Sequence, residues 1–292
     1  MGVVWICCSA GRPTMLKNKT LRMLATSGFI GTVFIIVPHE EVATYTVALA
    51  DAPVSCVLQG TARGLVKQRA YARTLFPPGQ EMVFIDDDIS SIKMKVGKKF
   101  QKVGAIHNIV DYCFEWLACT ESLMWGVYPV ANSMFMKERI ATGNCYVVGA
   151  FYGIVNDPRL EEPSVDECED YSRQLSEQAA GRPPLRFDCF GIDTRYFKNP
   201  GGMQSDRKPE VRRSVVATLV DTYPAMVKSK SRKDGTPDLA FLKKPVYKPL
   251  LLTADHGTLT VQSTPAAAPA SESAPHDLSG SPLPPTGHTH PE

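Results

Sequence analysis

The chain has 292 residues, 43% of them hydrophobic, ample for one large core or for one domain with a tail. Its 32 basic and 30 acidic residues leave a formal charge of +2, so the global balance selects no partner and any charged interface has to be local. No apolar run approaches the ~20 residues of a membrane span and no signal-peptide pattern opens the sequence. The eight cysteines show neither a CxxC pair nor zinc spacing, and the expectation is buried free thiols in a cytoplasmic protein.

VVWICC (3–8) is short, apolar and β-branched, and predicts a buried strand, with SAGRP as the loop after it. Thr14 is the candidate cap of a helix carrying Leu16, Met23 and Leu24. VFIIVP (33–38) predicts a second strand, a helix follows near 40–50, and VSCVLQ (54–59) predicts a third strand. A helix around 64–75 carries GLVKQRAYARTLF, and EMVFIDDD (81–88) is the next strand. This alternation predicts an α/β fold with a mainly parallel central sheet. Ligands bind at the carboxyl ends of such strands, where both SAGRP and DDD lie.

Further on, Ile106, Ile109, Val110, Cys113, Phe114, Leu117 and Ala118 follow a 3.6-residue period and predict an amphipathic helix. GVYPVANSMFM (126–136) and NCYVVGAFYGIV (144–155) read as strands. SVDECEDYSRQLSEQ (164–178) reads as a helix start with acids in its first turn, and RFDCFGIDTRYFKNPGGMQ (186–204) as a strand and a glycine-bearing loop. The expected organisation is one domain over 1–250, with a first half at about 1–95 and a second at about 96–250. A Pro/Ala/Ser-rich tail over 251–292 is expected to be disordered, because it lacks the apolar side chains to offset its ordering entropy.

Three consecutive aspartates at the end of an apolar strand need a reason. If the strand stays extended, Asp86 and Asp88 face one way and Asp87 the other. Like charges held together repel, and a hard divalent cation such as Mg²⁺ or Mn²⁺ relieves that while bridging to phosphate oxygens. An exposed acidic turn is the competing reading.

A first strand ending in SAGRP, a helix with GLVKQRAYA, and an apolar strand running into DDD resemble the nucleotide-sugar half of GT-A glycosyltransferases. The resemblance covers roughly residues 1–205. WGVYPVANSMFMK, NCYVVGAFYGIV and NPGGMQ are similar to one branch, the TET-associated glycosyltransferases of phages, related to the enzyme that glucosylates hydroxymethyluracil in base J. The resemblance implies a GT-A, Rossmann-like fold, a UDP-sugar donor (UDP-glucose or UDP-GlcNAc) and Mn²⁺ or Mg²⁺. Asp88 and Asp86 would hold the metal, with Asp86 also reaching the donor's ribose or sugar and Asp87 close by. Ser9, Arg12, Gly64, Lys67, Gln68 and Arg69 would surround the nucleotide, and Asn199, Gly201 and Gly202 would form a loop closing on it. Asp170 would be the catalytic base of an inverting transfer, with Glu169 as the alternative. The late histidine ligand often found in this fold has only His256 as a candidate.

The acceptor implied is the hydroxyl of 5-hydroxymethylpyrimidine, foremost 5-hydroxymethylcytosine, in double-stranded DNA, with a functional link to a TET-like dioxygenase. Residues 207–248 carry eleven Lys and Arg against four acids, and this basic stretch with Tyr223 and Tyr247 suits a phosphate backbone and stacked bases. A protein, lipid or glycan acceptor stays open, as does a non-catalytic sugar-nucleotide or nucleic-acid binding module.

Overall fold

The computed structural model describes residues 2–194, 208–232 and 234–250, together with the backbone of 252–255 and 258–261. The chain begins with β1 (Val4–Cys8), α1 (Pro13–Leu16), a π turn at Lys17–Leu21, α2 (Arg22–Thr26), β2 (Thr32–Pro38), α3 (Val42–Ala48), β3 (Ser55–Thr61), α4 (Leu65–Thr74) and β4 (Glu81–Ile85). These strands pair in parallel in the order β3-β2-β1-β4, with Ile6 opposite Phe34 on one side and Phe84 on the other.

Strands β1, β2 and β4 are largely continuous apolar runs because both faces are covered, whereas the edge strand β3 is half-exposed. Trp5, Cys7, Ile35, Val83 and Ile85 enter the larger core cluster, while Ile6, Ile36, Met82 and Phe84 enter a second one. This is the period of two that alternating side chains impose.

The second half adds β5 (Ser91–Val96), β6 (Lys99–Lys102), α5 (Ile106–Ala118), β7 (Met124–Tyr128), β8 (Arg139–Thr142), β9 (Phe151–Val155), α6 (Glu169–Ala179), β10 (Leu185–Asp193), α7 (Pro209–Thr222), β11 (Val227–Ser231), β12 (Pro237–Phe241) and β13 (Val246–Pro249). The sheet continues past β4 through β9, β7, β10 and β8 to β13, with β5 bonded to β10. β7 and β10 are parallel, and β9 runs antiparallel to both β4 and β7. The expected α/β class and Rossmann-like first half are therefore present. α5 buries Ile106, Ile109, Val110, Cys113, Phe114 and Leu117, as its period predicts, while Ala118, expected on the same face, ends the helix exposed. A small unit of α7, β11 and β12 packs on α6 through Leu175, Val216, Leu219, Val227 and Leu239.

Several boundaries differ from expectation. Thr14 is no cap: Pro13 opens the helix and Arg12 holds the cap position. Strand β7 stops at Tyr128, because Pro129 has no N–H to donate and Asn132 accepts from Met134 N in a local turn. Residues 144–150 form no strand, since the Gln174 amide takes up both main-chain groups of Val147. β14 (Leu252–Asp255) and β15 (Thr258–Val261) form a hairpin inside the stretch expected as tail; the remainder of that stretch lies outside the described residues. All eight cysteines are free. Burial pushes Cys8 up to about 12, which keeps it an inert thiol.

Candidate active site

Strand β4 ends at Ile85, so the aspartates occupy the turn beyond its carboxyl end rather than the strand itself. The Asp86 N–H still donates to Ala150 O at 2.8 Å, which carries the extended geometry one residue further. Thr20, from the π turn, clamps the rest of the turn. Its hydroxyl donates to Asp86 O at 2.6 Å and accepts from Ile89 N at 3.0 Å.

The alternation then places the three carboxylates differently. Asp87 is fully buried and points back to the end of β1. There it accepts from the Ser9 hydroxyl at 2.5 Å and pairs with Arg12 at 2.8 Å. Since Ser9 spends its proton on Asp87, Tyr45 donates to Ser9 at 2.6 Å and accepts from Arg12 N at 3.0 Å. Asp86 and Asp88 stay partly exposed beyond the carboxyl end of β4, where α/β folds place their ligand cleft. The Asp86 side chain is 36% exposed and lies 3.4 Å from Arg69. Asp88 accepts from the Thr194 hydroxyl at 2.7 Å and lies 3.7 Å from Arg12.

Burial of this crowded cluster raises Asp86 to about 7, with Arg69 opposing and Asp88 and Asp87 adding to the rise. Asp87 is raised to about 6 by burial, against the pull of Arg12.

Arg69 links the aspartates to the first turn of α6. It is buried, donates to Gly149 O at 2.6 Å, and is hydrogen-bonded to Glu169. Glu169 is also buried and takes a second arginine, Arg173, one turn along the helix at 2.8 Å. Both guanidiniums lie over the Tyr152 ring, at 5.2 and 5.1 Å from its centroid. Burial alone would raise the Glu169 carboxyl; the two arginines overturn that and hold it below the usual range. Gly149 leaves the space this requires, because a Cβ there would sit 2.5 Å from Glu169 Oε1.

Asp170, the next residue, points elsewhere. It is half-buried, accepts from the Tyr146 hydroxyl, and accepts from Tyr171 N at 2.9 Å. Burial and the neighbouring Glu169 raise its carboxyl, with Tyr146 opposing. The residue before the pair, Cys168, is in the left-handed region at φ 57°, alone among the non-glycine residues described. Such a conformation costs on the order of 1–3 kcal/mol and needs support. Arg212 supplies it from α7, bonding Glu167, the Pro237 carbonyl at 2.8 Å and Asp238 at 2.8 Å.

The remaining expected residues fall as follows. Gln68 is buried and donates to Ser9 O at 3.1 Å and Ile36 O at 2.9 Å, so it fastens β1 to β2 rather than facing a nucleotide. Gly64 opens α4 at φ 126°, and a Cβ would meet Asp166 Oδ2 at 3.2 Å; Asp166 caps that helix by accepting from Val66 N at 2.7 Å. Its conformation and this approach explain the glycine without a ligand. Lys67 is exposed. Asn199, Gly201, Gly202 and His256 lie outside the described residues. Thr20, Tyr45, Tyr146, Arg173 and Thr194 went unrecognised in the sequence. Tyr146, Arg173 and Thr194 lie within quoted segments, but none carries a spacing signal.

Three of the eleven cations of the basic stretch, and its Tyr247, are already engaged among the described residues. Arg212 is paired with Glu167 and Asp238, Lys230 and Arg232 are paired with Asp238, and Arg139 stacks on Tyr247 at 3.6 Å. Among the described residues no helix is long and apolar enough to cross a membrane, and no three His, Cys, Asp or Glu side chains are gathered for a metal.

No family model matches the chain, and no curated protein matches it in sequence. Among solved structures it is similar to GalNAc-T7 with UDP, GalNAc and Mn²⁺, at 10% identity and a TM-score of 0.47 over 77% of this chain and 49% of that one. It is also similar to S. aureus TarS 1-349, at 12% identity and a TM-score of 0.43 over 66% and 59%. A third is a CMP:2-keto-3-deoxy-manno-octonic acid synthetase complexed with CTP, at 9% identity and a TM-score of 0.42 over 75% and 100%. The chain thus spans about half the length of GalNAc-T7. Likenesses this loose decide nothing about chemistry, which stands on the residues of the cleft.

Proposed function

We propose that this chain is a divalent-metal-dependent GT-A glycosyltransferase that moves a sugar from a UDP-sugar to the hydroxyl of 5-hydroxymethylcytosine in DNA. The observation that carries the reading is the split of the aspartate turn. One carboxylate is buried as a strut, and the other two stay partly exposed; Arg69 ties one of them, Asp86, to Glu169, whose neighbour Asp170 has a raised carboxyl.

Asp86 and Asp88 are hard oxygen donors of the kind Mg²⁺ and Mn²⁺ take, and a cation would offset the burial and the neighbouring aspartates that raise Asp86. They would hold the metal, which when bound supplies charge stabilisation for a departing diphosphate. Arg12 and Arg69 border the same cleft and suit phosphate oxygens by their planar donors. Asp170 takes the proton of the acceptor hydroxyl as that oxygen attacks the anomeric carbon, and the sugar inverts. Glu169 orients α6 and fixes Arg69; its two arginines leave it a poor proton acceptor.

The DNA acceptor rests on the sequence resemblance and on unpaired surface lysines. The hydroxymethyl group would come from oxidation of a 5-methylpyrimidine by a TET-like dioxygenase acting in the same cytoplasm.

The test is nucleoside mass spectrometry after incubating the protein with hydroxymethylcytosine DNA, Mn²⁺ and UDP-glucose or UDP-GlcNAc. A hexose or N-acetylhexosamine gain that disappears in Asp88→Ala is expected. Hydrolysis of the donor with no gain on DNA would move the acceptor to protein, lipid or glycan. Neither transfer nor hydrolysis would leave a binding module.

A further inference from the structure

We infer that the β5–β6 hairpin and the loop joining β7 to β8 form the surface on which the acceptor DNA lies. Lys98, Lys99 and Lys137 would meet its phosphates, and Phe135 and Met134 would press against an unstacked base. The inference rests on the DNA-acceptor reading and moves the contact away from the basic stretch at 207–248.

Two chain segments make this surface, and they are fastened together. Lys95 of β5 donates to Ser133 O at 2.6 Å and Met136 O at 2.9 Å, and Gly97 N donates to Glu138. In the hairpin register Lys95 stands opposite Phe100, so the two share a face, and that face is the one turned to the loop. Lys93, two residues earlier on the same face, lies over the Phe100 ring at 5.4 Å.

This assembly exposes large apolar side chains that a folded chain ordinarily covers. Phe135 is 58% exposed, Met134 76%, Val130 48% and Phe100 37%. Single exposed apolar residues are commonplace, but four on two bonded segments mark an interaction surface. Lys98, Lys99 and Lys137 are exposed beside them and form no ion pair among the described residues. Apolar and aromatic groups interleaved with unpaired cations suit a polyanion with stacking faces.

The surface also continues into the cleft. Lys93 pairs with Asp193 at 2.7 Å, and the next residue, Thr194, donates to Asp88. From Ser91, which also bonds Asp193, to Lys95 is four residues, roughly 13 Å of strand. The surface is thereby continuous, through one strand, with the turn that carries the aspartates, and chemistry on a base requires that base to leave the helix.

The test is fluorescence anisotropy with a labelled hydroxymethylcytosine duplex over a salt series, with UDP affinity measured by calorimetry on the same preparations. Phe135→Ala is expected to weaken DNA binding on the order of tenfold. Lys98→Ala with Lys99→Ala is expected to lower the salt slope by about two. All three sites are exposed, so UDP affinity and melting temperature should stay at wild-type values. If wild type binds DNA and these variants bind equally well, the surface assignment is wrong and the DNA reading survives. Loss instead in Lys243→Ala with Lys244→Ala would return the contact to the C-terminal segment. If wild type binds UDP but no DNA, both inferences fall. Polyglutamate competing as well as the duplex would overturn the assignment in favour of an acidic protein.

Discussion

The neighbours Glu169 and Asp170 should separate stability from chemistry. Glu169→Gln removes one charge from a buried group of three. Arg69 and Arg173 would then face each other across Tyr152 with an amide between them, and its NH₂ would confront a guanidinium donor. Because its two arginines hold Glu169 below the usual range, its ionised form stabilises the fold above the ordinary pKa, a contribution lost only as pH falls through the lowered value. Breaking such a buried group costs about 3–5 kcal/mol. For a chain of this size that corresponds to a melting-point drop on the order of 10 °C. Asp170→Asn should behave oppositely. The amide oxygen still accepts from Tyr171 N, and its NH₂ donates to the Tyr146 oxygen. The raised Asp170 carboxyl makes its ionisation a cost to the folded state at neutral pH, so the variant should melt at or slightly above wild type. Its kcat for sugar transfer should fall by about 10²–10⁴. Differential scanning calorimetry and donor turnover on the two variants decide the matter. An Asp170→Asn protein of normal activity beside a stable but inactive Glu169→Gln protein would refute the assignment.

Other expectations follow from the same cleft. The acid limb of the kcat/KM profile should lie above the ordinary aspartate range, and Tyr146→Phe, by deleting the bond that lowers Asp170, should move it to higher pH; a limb moving down would contradict that sign. Gly149→Ala should act at a distance from the chemistry, since its Cβ would meet Glu169 Oε1 at 2.5 Å and must dislodge the pair with Arg69; a melting point within a degree of wild type would show that the pair yields without cost. Thr194→Val should weaken Mn²⁺-dependent UDP binding while leaving the fold intact, because it removes the donor on Asp88 and nothing larger; unchanged titration calorimetry would remove Thr194 from the site.

The sequence was most informative where one physical pattern ruled. The apolar runs of β1, β2 and β4 and the 3.6-residue period of α5 are local signals, and the structure follows them. The carboxyl-end placement of DDD followed from alternation alone. Long-range side-chain bonds were illegible: Gln68 on two carbonyls of neighbouring strands, Gln174 replacing a strand partner for Val147, and Asp166 capping a helix a hundred residues earlier. In each case a polar residue meets a main-chain group chosen by topology, and nothing in its own neighbourhood announces the partner. Part of the basic stretch was illegible for the complementary reason. Composition counts charges, but Asp238 alone gathers Arg212, Lys230 and Arg232.

One residue shows why the cleft holds together despite its concentrated charge. Arg69 sits between a partly exposed aspartate and a buried glutamate that it shares with Arg173. Removing its charge while keeping its length, as in Arg69→Met, would leave Glu169 with Arg173 alone and Asp86 with only Arg12 opposing its rise. Two effects should then appear together: a loss of stability of about 3–5 kcal/mol from the broken buried pair, and weaker UDP binding from the lost phosphate-facing donor. Arg69→Lys should restore part of the first through its charge. It should restore little of the second, because an ammonium cannot reach Gly149 O, Glu169 and Asp86 from one planar fork. If lysine recovers UDP affinity in full, Arg69 serves the site only as a charge, and its bridging geometry has no part in binding.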